Sequence, residues 1–562
     1  MNASGRSPRK SLAASTFLMA GGTAFSRFTG LVRAGLLGVA FGGVNAAANA
    51  FDVANTLPSF FYTILAEGVL NAVLVPQIVR AFARGQGRDY VDRLLTIATL
   101  LLAGLTLLLT VSAGWWIGLF THEWGAEKLA LAIVFAYWCL PQVFFYGLYA
   151  LWSQVLNARN AFGTVMWAPA ANNIVSIAGF IVFIGVFGRY DDAGLAPGVW
   201  RTPEVALLAG TATLGIVVQA LILLIPMARM NLFPRWRWGF RGFELGRAAR
   251  MTGWTALSLL FSQGTLALAI RLASAAHEAG GGQVVASNAI LTFALTIYIF
   301  PHSLVTVSLT TALFTRMSEH VQSGDMRRVQ ADLSLGIRTT SVFSFLFTAL
   351  LVVLALPLCR MLQPGLSLVA VEALVAPVVA MSLGLVPLGM TLLVKRVFFA
   401  LEDGRTLLAL QIPMSLLFAV FSLVSFWFLP PAWWVTGIGL GQTLSFLAGA
   451  VLRLTSLRER LGGVDGRRLA WTHARAAAAA VLTGELGWLI LGLFPGRGAS
   501  YIGASPLVLF IVGCSMVLIY LVLLRILGVT EISDFLRSPR GTLQTKYTRQ
   551  SLLPVGVPSQ KT

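Results

Sequence analysis

The residues with the clearest chemical potential are charged side chains that lie inside apolar sequence near the amino terminus. A mostly apolar stretch from Phe25 to Pro76 is long enough to cross a bilayer twice, yet its first crossing carries Arg27 and Arg33. An ionised arginine at the centre of a membrane helix costs about 2.5–3.5 kcal/mol. Packing alone does not offset this cost for two arginines, so the pattern indicates a water-filled cavity or an anionic ligand.

Guanidinium groups in such a cavity are suited to phosphate, because they are planar, permanently charged and able to donate two parallel hydrogen bonds. A third arginine, Arg271, lies at a similar depth in the seventh predicted helix. We therefore expect Arg27, Arg33 and Arg271 to hold a diphosphate together. Two alternatives remain open: an intramembrane carboxylate, Asp52 or Glu67, neutralises these arginines, or Arg271 extends to the outer membrane surface.

The second crossing carries polar residues and a proline that favour a bent helix beside a polar cavity. A proline within a membrane helix frees a backbone carbonyl, which neighbouring groups must satisfy. A glycine between the two arginines similarly permits a bend in the first helix. The predicted cavity or gating residues are Asn49, Asp52, Asn55, Glu67, Gly30 and Pro58. Glu67 fits a helix–helix packing contact equally well.

Composition places these residues in a polytopic membrane protein. The chain has 562 residues, of which 57% are hydrophobic and 11% charged, whereas an ordinary soluble protein is about 25% charged. A hydrocarbon core about 30 Å thick needs about 20 apolar residues per helix. On this basis we predict fourteen spans, at 13–42, 49–83, 91–120, 128–157, 162–188, 204–230, 247–276, 284–316, 330–358, 370–400, 405–429, 432–457, 471–494 and 502–528.

The basic residues predict the orientation of these spans. Of the 41 Lys and Arg residues, 33 fall in or next to one set of alternate loops, five in or next to the other set and three deep within helices. Because cytoplasmic loops are enriched in Lys and Arg, both termini are predicted to be cytoplasmic. The net charge of +19 is then explained by topology, and no nucleic-acid partner is expected. The polar segment 531–562 is predicted to be a disordered cytoplasmic tail.

A faint internal repeat suggests that one six-helix unit is used twice. The repeated features lie 236 to 243 residues apart: Phe25-Ser26-x-x-Thr29 with Phe261-Ser262-x-x-Thr265, Pro58 with Pro301, and Ala158 with Ala400. We therefore predict an all-α fold with two pseudo-symmetric lobes, 1–230 and 231–460, around a central cavity, followed by two helices within 461–530. Transporters commonly place their substrate at such a repeat interface.

Catalytic and cofactor-binding motifs are not apparent in the sequence. There is no Walker A loop, the five histidines show no metal-ligand spacing, and the three cysteines all lie in apolar runs. The sequence therefore predicts neither an enzyme nor a cofactor or metal site.

Taken together, the motifs of the first two helices and two later loops resemble the MurJ (MviN) family of lipid II flippases, within the multidrug/oligosaccharidyl-lipid/polysaccharide exporter superfamily. The motifs are SRFTGLVR at Ser26–Arg33, AFG at Ala40–Gly42, NAFDVANTLP at Asn49–Pro58, LAEGVLNAVLVP at Leu65–Pro76, LNARNAFG at Leu156–Gly163 and FFALEDGR at Phe398–Arg405. They occur in the family's order and spacing, so the resemblance covers essentially the whole chain.

The resemblance implies a function and a location. A member of this family carries lipid II from the inner to the outer leaflet of the bacterial cytoplasmic membrane by alternating access, through a central cationic cavity. Lipid II and membrane lipids are then the expected partners, with cell-wall synthesis proteins as a further group. Arg27 and Arg33 match the family's two first-helix arginines. Where the family often carries further charges, this sequence has Ala34, Asn49, Tyr62 and Thr296, and we expect Arg271 to substitute for part of them.

Three other functions remain open at this point. The chain could export another polyprenyl-diphosphate glycolipid, or it could be a multidrug or cation-coupled exporter whose ion sites are Asp52 and Glu67. It could also be a non-transporting scaffold for cell-wall synthesis that acts through its basic loops and tail. The sign of the electrostatic potential in the central cavity separates the cation exporter from the flippases.

Overall fold

The computed structural model describes residues 8–65, 87–159, 161–188, 196–238, 246–281, 283–494 and 501–531, and these residues contain helices and turns but no β-strand. The α-helices in this part of the chain are α1 (Pro8–Phe41), α2 (Ala46–Leu65), α3 (Gly87–Val111), α4 (Ala113–Phe120), α5 (Ala126–Cys139), α6 (Gln142–Ala158), α7 (Phe162–Phe187), α8 (Thr202–Leu221), α9 (Leu224–Arg229), α10 (Gly246–Ala279), α11 (Asn288–Gln322), α12 (Met326–Val353), α13 (Ala355–Leu362), α14 (Leu368–Ser382), α15 (Leu385–Ala400), α16 (Gly404–Phe428), α17 (Trp434–Leu461), α18 (Gly466–Gly492) and α19 (Tyr501–Ile526).

Helices are the expected structure here, since a segment in hydrocarbon must satisfy its backbone hydrogen bonds internally. Within the described residues, 12 helices are long and apolar enough to cross a membrane, or up to 13 when the bent pair α14–α15 is included. α2 ends at Leu65, where the described residues stop, so the rest of its predicted span and Glu67 lie outside them. The polytopic all-α fold is confirmed, and the predicted count of fourteen is approximate.

Several predicted spans are broken rather than continuous. The span 128–157 consists of α5 and α6, which are separated at Leu140 and Pro141, consistent with a proline that cannot donate a backbone hydrogen bond. The span 370–400 consists of α14 and α15, which meet at an angle of 45° just before Pro387. Hydropathy does not reveal such breaks, because both fragments are apolar.

The packing of helices in the first half is repeated in the second half. α1 packs on α7 and α7 on α8, while α10 packs on α16 and α16 on α17. α1 and α10 are each 34 residues long. This repetition agrees with the internal repeat in the sequence, whereas the exact lobe boundaries stay a prediction. α18 and α19 pack against α12 and α13, outside the repeated helices.

The two halves meet chiefly along α1 and α2, which lie against α11, and α2 also contacts α10. The carboxyl end of α1 comes unusually close to the connection between α13 and α14. A Cβ atom on Gly365 would lie 2.3 Å from the backbone nitrogen of Val39 and 2.4 Å from the carbonyl carbon of Gly38. Only glycine permits this approach, because real Cβ atoms do not come so close to another backbone.

Two of the arginines counted with the predicted cytoplasmic loops, Arg338 and Arg453, lie near the ends of the predicted spans 330–358 and 432–457 and are buried in helices. Arg338 of α12 and Arg453 of α17 are each 5% exposed. Arg338 forms an ion pair with Glu531, which also accepts a hydrogen bond of 3.3 Å from Thr472 Oγ1. A count of charges near span ends does not reveal this burial, because it depends on partners in other segments: Arg338 pairs with Glu531, and Arg453 donates to Gln411. Residues 532–562 of the predicted tail lie outside the described residues.

A surface loop before α16 contains a carboxylate with defined partners. Asp403 accepts a hydrogen bond of 3.0 Å from the backbone nitrogen of Thr406 and forms an ion pair with Arg460. Burial tends to raise the pKa of Asp403, but the hydrogen bonds from Thr406 and the Arg460 charge outweigh it and hold this pKa below its ordinary value.

Candidate substrate cavity

A polar cavity of about 610 Å³ lies mainly between α1, α2, α6, α7 and α11. The predicted site residues that line it are Arg27, Gly30, Arg33, Asp52 and Asn55. They come together because α1 and α2 are consecutive and joined by a turn, 42–45, in which Gly42 adopts a φ of 72°. A positive φ of this kind favours glycine.

Arg27 and Arg33 provide the positive charge of the cavity. They lie six residues apart on α1, which is a rise of about 9 Å along the helix. Arg27 is exposed and Arg33 is half-buried, and neither guanidinium forms an ion pair with a residue that the structure describes. α1 is continuous through Gly30, so both arginines reach the cavity without a break in the helix.

Asp52 does not pair with these arginines, although it lines the same cavity. One of its carboxylate oxygens accepts hydrogen bonds from Asn288 Nδ2 at 3.0 Å and from Thr292 Oγ1 at 3.1 Å, both on α11. The alternative in which Asp52 neutralises Arg27 or Arg33 is therefore wrong for this conformation. The carboxylate instead fastens α2 to α11.

Asn49 extends the same contact between the halves. It is completely buried, and its Oδ1 accepts hydrogen bonds from Ser287 Oγ at 2.7 Å and from the Ala289 backbone nitrogen at 3.2 Å. Asn288 Nδ2 also donates to the Asn49 carbonyl at 3.0 Å. Asn49 therefore does not line the cavity but closes it. Pro58, also predicted to be a cavity residue, is buried within α2 and lies outside the cavity lining. We call the contact of Asn49 and Asp52 with the start of α11 the α2–α11 closure.

A second contact between the halves lies where the α4–α5 connection and the start of α5 meet the carboxyl end of α10. Lys128 Nζ donates to Glu278 Oε1 at 2.9 Å, and the Lys128 side chain is only 5% exposed. Trp124 Nε1 donates to the Ser274 carbonyl at 2.9 Å. Because the amino ends of α2 and α11 adjoin the carboxyl end of α10, both contacts seal the same end of the cavity.

Arg271 belongs to this sealed end and not to the cavity. Its Nη1 donates hydrogen bonds to the carbonyls of Gly118 at 3.0 Å and Leu119 at 2.9 Å. These carbonyls are at the carboxyl end of α4, where a positive charge is favoured by the helix dipole. The expectation that Arg271 joins Arg27 and Arg33 is therefore wrong, because its side chain is used to cap α4.

Amide side chains that sequence reasoning did not single out complete the cavity wall. Asn173 Nδ2 of α7 donates to the Ser26 carbonyl at 2.8 Å and to Thr29 Oγ1 at 3.1 Å, which fixes the turn of α1 that carries Arg27. Gln142 Nε2 of α6 donates to Asn55 Oδ1 at 3.3 Å. The available signal was the presence of amides inside apolar runs, which is costly unless they are hydrogen-bonded.

These features define a class of protein. A polytopic helical chain with two similarly packed halves, and with a polar, arginine-bearing cavity sealed at one end, has the architecture of a membrane transporter. The chain belongs to the MurJ family, because the family model described as "Lipid II flippase MurJ" matches residues 39–506. The resemblance noted from the sequence motifs is thereby confirmed.

Individual relatives agree with this assignment. The chain is 26% identical over 486 residues to "Lipid II flippase MurJ" of Burkholderia cenocepacia, covering 84% of this chain and 88% of the relative. It is 25% identical over 557 residues to "Probable lipid II flippase MurJ" of Bdellovibrio bacteriovorus, covering 94% and 97%.

Solved structures share the fold. The structure titled "Lipid II flippase MurJ, inward closed conformation" has a TM-score of 0.70 at 18% identity and covers 93% of this chain and 100% of the other. An inward-facing multidrug resistance MATE family transporter of the MOP superfamily has a TM-score of 0.63 at 16% identity, covering 79% and 99%. These likenesses show that the chain shares its fold with both structures.

Proposed function

We propose that this protein carries lipid II from the inner to the outer leaflet of the bacterial cytoplasmic membrane, with the diphosphate held by Arg27 and Arg33. One observation supports this most directly: two guanidinium groups line a membrane-embedded cavity without a carboxylate partner among the described residues. A diphosphate supplies the missing negative charge and accepts the paired hydrogen bonds that guanidinium groups donate. Arg271 is not part of this proposed site.

The predicted membrane orientation gives the direction of transport. With both termini in the cytoplasm, as the loop charges predict, the exposed Arg27 faces the cytoplasm and the α2–α11 closure faces outwards. Lipid II then enters from the inner leaflet while its polyprenyl tail stays in the bilayer. Transport requires the closure and the Lys128–Glu278 contact to open. An inside-negative potential favours outward movement of the anion and inward return of the empty arginines by about 2.3 kcal/mol per charge per 100 mV.

The experiment compares variants of one cavity arginine with a surface control. Arg33→Ala removes the charge and its hydrogen-bond donors, whereas Arg33→Lys keeps the charge but loses the planar pair of donors. The control, Arg327→Ala, removes an exposed arginine at the start of α12. Binding of lipid II to purified protein and growth of cells depleted of their own flippase are both measured. Charged hydrogen bonds contribute about 1.5–3 kcal/mol, so Arg33→Ala should weaken binding about 10- to 150-fold.

Each outcome separates the candidate functions. We expect Arg33→Ala to fail in both assays, Arg33→Lys to be intermediate and Arg327→Ala to resemble the wild type. Normal lipid II binding and growth with Arg33→Ala would refute the proposed role of the cavity. Loss of function with Asp52→Asn but not with the arginine variants would favour a cation-coupled exporter. Dispensable arginines combined with an essential tail would favour a scaffold.

A further inference from the structure

The second half of the protein contains a separate polar cavity of about 300 Å³, lined by α10, α11, α15, α16 and α17. The charged residues among its described lining are Lys395 and Arg453, and none of the lining residues is a carboxylate. α11 forms a wall of both cavities, since Leu291 and Leu295 face this one whereas Thr292 faces the central one. The second cavity is therefore a distinct compartment whose described lining carries basic side chains and no carboxylate.

Arg453 is the residue that makes this compartment unusual. It is 5% exposed, and its Nη2 donates to Gln411 Oε1 at 2.8 Å. Its Nε is buried and has no hydrogen-bond partner among the residues that the structure describes. No described carboxylate lies within ion-pair distance of it. A neutral amide oxygen does not balance a guanidinium that stays charged, and an unpaired buried charge is strongly unfavourable.

The neighbouring polar groups do not supply the negative charge that would balance Arg453. Gln411 Nε2 donates to Ser415 Oγ at 3.2 Å, and Gln442 Nε2 donates to the Tyr298 hydroxyl at 3.2 Å. Ser445 Oγ donates to the Met414 carbonyl. These amides and hydroxyls are engaged with one another or with the backbone, so the group that the compartment lacks is a negatively charged acceptor.

We propose that this compartment binds a small inorganic anion of the chloride class beside Arg453, with Lys395 contributing to its positive potential. The volume corresponds to about ten water molecules at about 30 Å³ each, which suits a partly hydrated monatomic anion and not a lipid-linked disaccharide. The site is independent of lipid II, because its lining lies between residues 262 and 453 and includes neither cavity arginine.

Thermal unfolding in different sodium salts tests the proposal. The melting temperature of the full chain in detergent is compared in sodium chloride and in sodium isethionate, at equal sodium and ionic strength. Isethionate is an organic sulfonate and not a small monatomic anion of the proposed class, so chloride in comparison should raise the wild-type Tm by about 2 °C at about 100 times its Kd. The rise should disappear in Arg453→Gln and persist in the double variant Arg27→Gln/Arg33→Gln.

Other results would overturn the proposal. Equal chloride-dependent rises in Arg453→Gln and wild-type protein would do so, as would the absence of any chloride-specific rise in the wild type. Loss of the rise only in the Arg27→Gln/Arg33→Gln variant would assign the anion to the central cavity instead. If Arg453→Gln does not fold, wild-type crystals grown in bromide decide: an anomalous peak in contact with the Arg453 guanidinium is expected, and its absence refutes the site.

Discussion

Breaking the α2–α11 closure should open the sealed end of the cavity without disturbing its interior. Asn49→Ala removes the acceptor of two hydrogen bonds, from Ser287 Oγ at 2.7 Å and from the Ala289 nitrogen at 3.2 Å. The bond from Asn288 to the Asn49 backbone carbonyl survives this change. At about 0.5–1.5 kcal/mol for each lost bond, the closed state loses about 1–3 kcal/mol. This corresponds to a shift of about 5- to 150-fold towards the open state.

Labelling from outside the cell measures this shift. The native cysteines, Cys139, Cys359 and Cys514, are replaced by alanine, and a reporter cysteine is introduced at Ser59, which lines the cavity. A membrane-impermeant maleimide added outside reaches this position only when the closure opens. We expect the labelling rate to rise with Asn49→Ala in proportion to the open population.

Asn55→Ala is the matched control, because it removes another asparagine side chain of α2, one that lines the cavity. Asn55 accepts its hydrogen bond from Gln142 of α6, in the same half of the protein, so its loss should leave the closure intact. Equal labelling rates for Asn49→Ala and Asn55→Ala would refute the reasoning, since the effect would then not depend on bonds between the halves.

Three further predictions concern stability. Lys128→Met should lower the free energy of unfolding by about 1.5–3 kcal/mol, because it loses the bond to Glu278. In thermal unfolding, the double variant Lys128→Met/Glu278→Gln should be only slightly less stable than Lys128→Met. Fully additive losses of stability would contradict the pairing. Asp403→Asn should lower the Tm at pH values above the unfolded-state pKa of about 3.9. The difference in Tm from the wild type should fade as the pH drops through the depressed pKa of Asp403. A difference that grows on acidification would be inconsistent with this prediction. Gly365→Ala should lower the free energy of unfolding by about 1–3 kcal/mol, because the added Cβ meets the backbone of α1. Gly104→Ala, which places its Cβ in open space, should not lower it. Equal losses of stability for the two variants in chemical unfolding would disprove the close approach.

Part of the candidate site was predictable because its residues are close in sequence. Arg27, Arg33, Asp52 and Asn55 lie on two consecutive helices joined by a short turn, and all of them line one cavity. Their cost in an apolar segment is a local property, which composition and spacing reveal directly. The family resemblance rests on the same stretch and was confirmed over residues 39–506.

The sequence by itself determined that this is a polytopic helical membrane protein with charges in its first two helices, because hydrophobicity and charge are properties of each segment. Only the tertiary structure decided which partner each charge meets. Arg271 caps α4, Asp52 binds α11 and Arg453 turns into a second cavity. Long side chains at similar depth can reach several neighbours, and helix packing, which sequence spacing does not encode, selects among them.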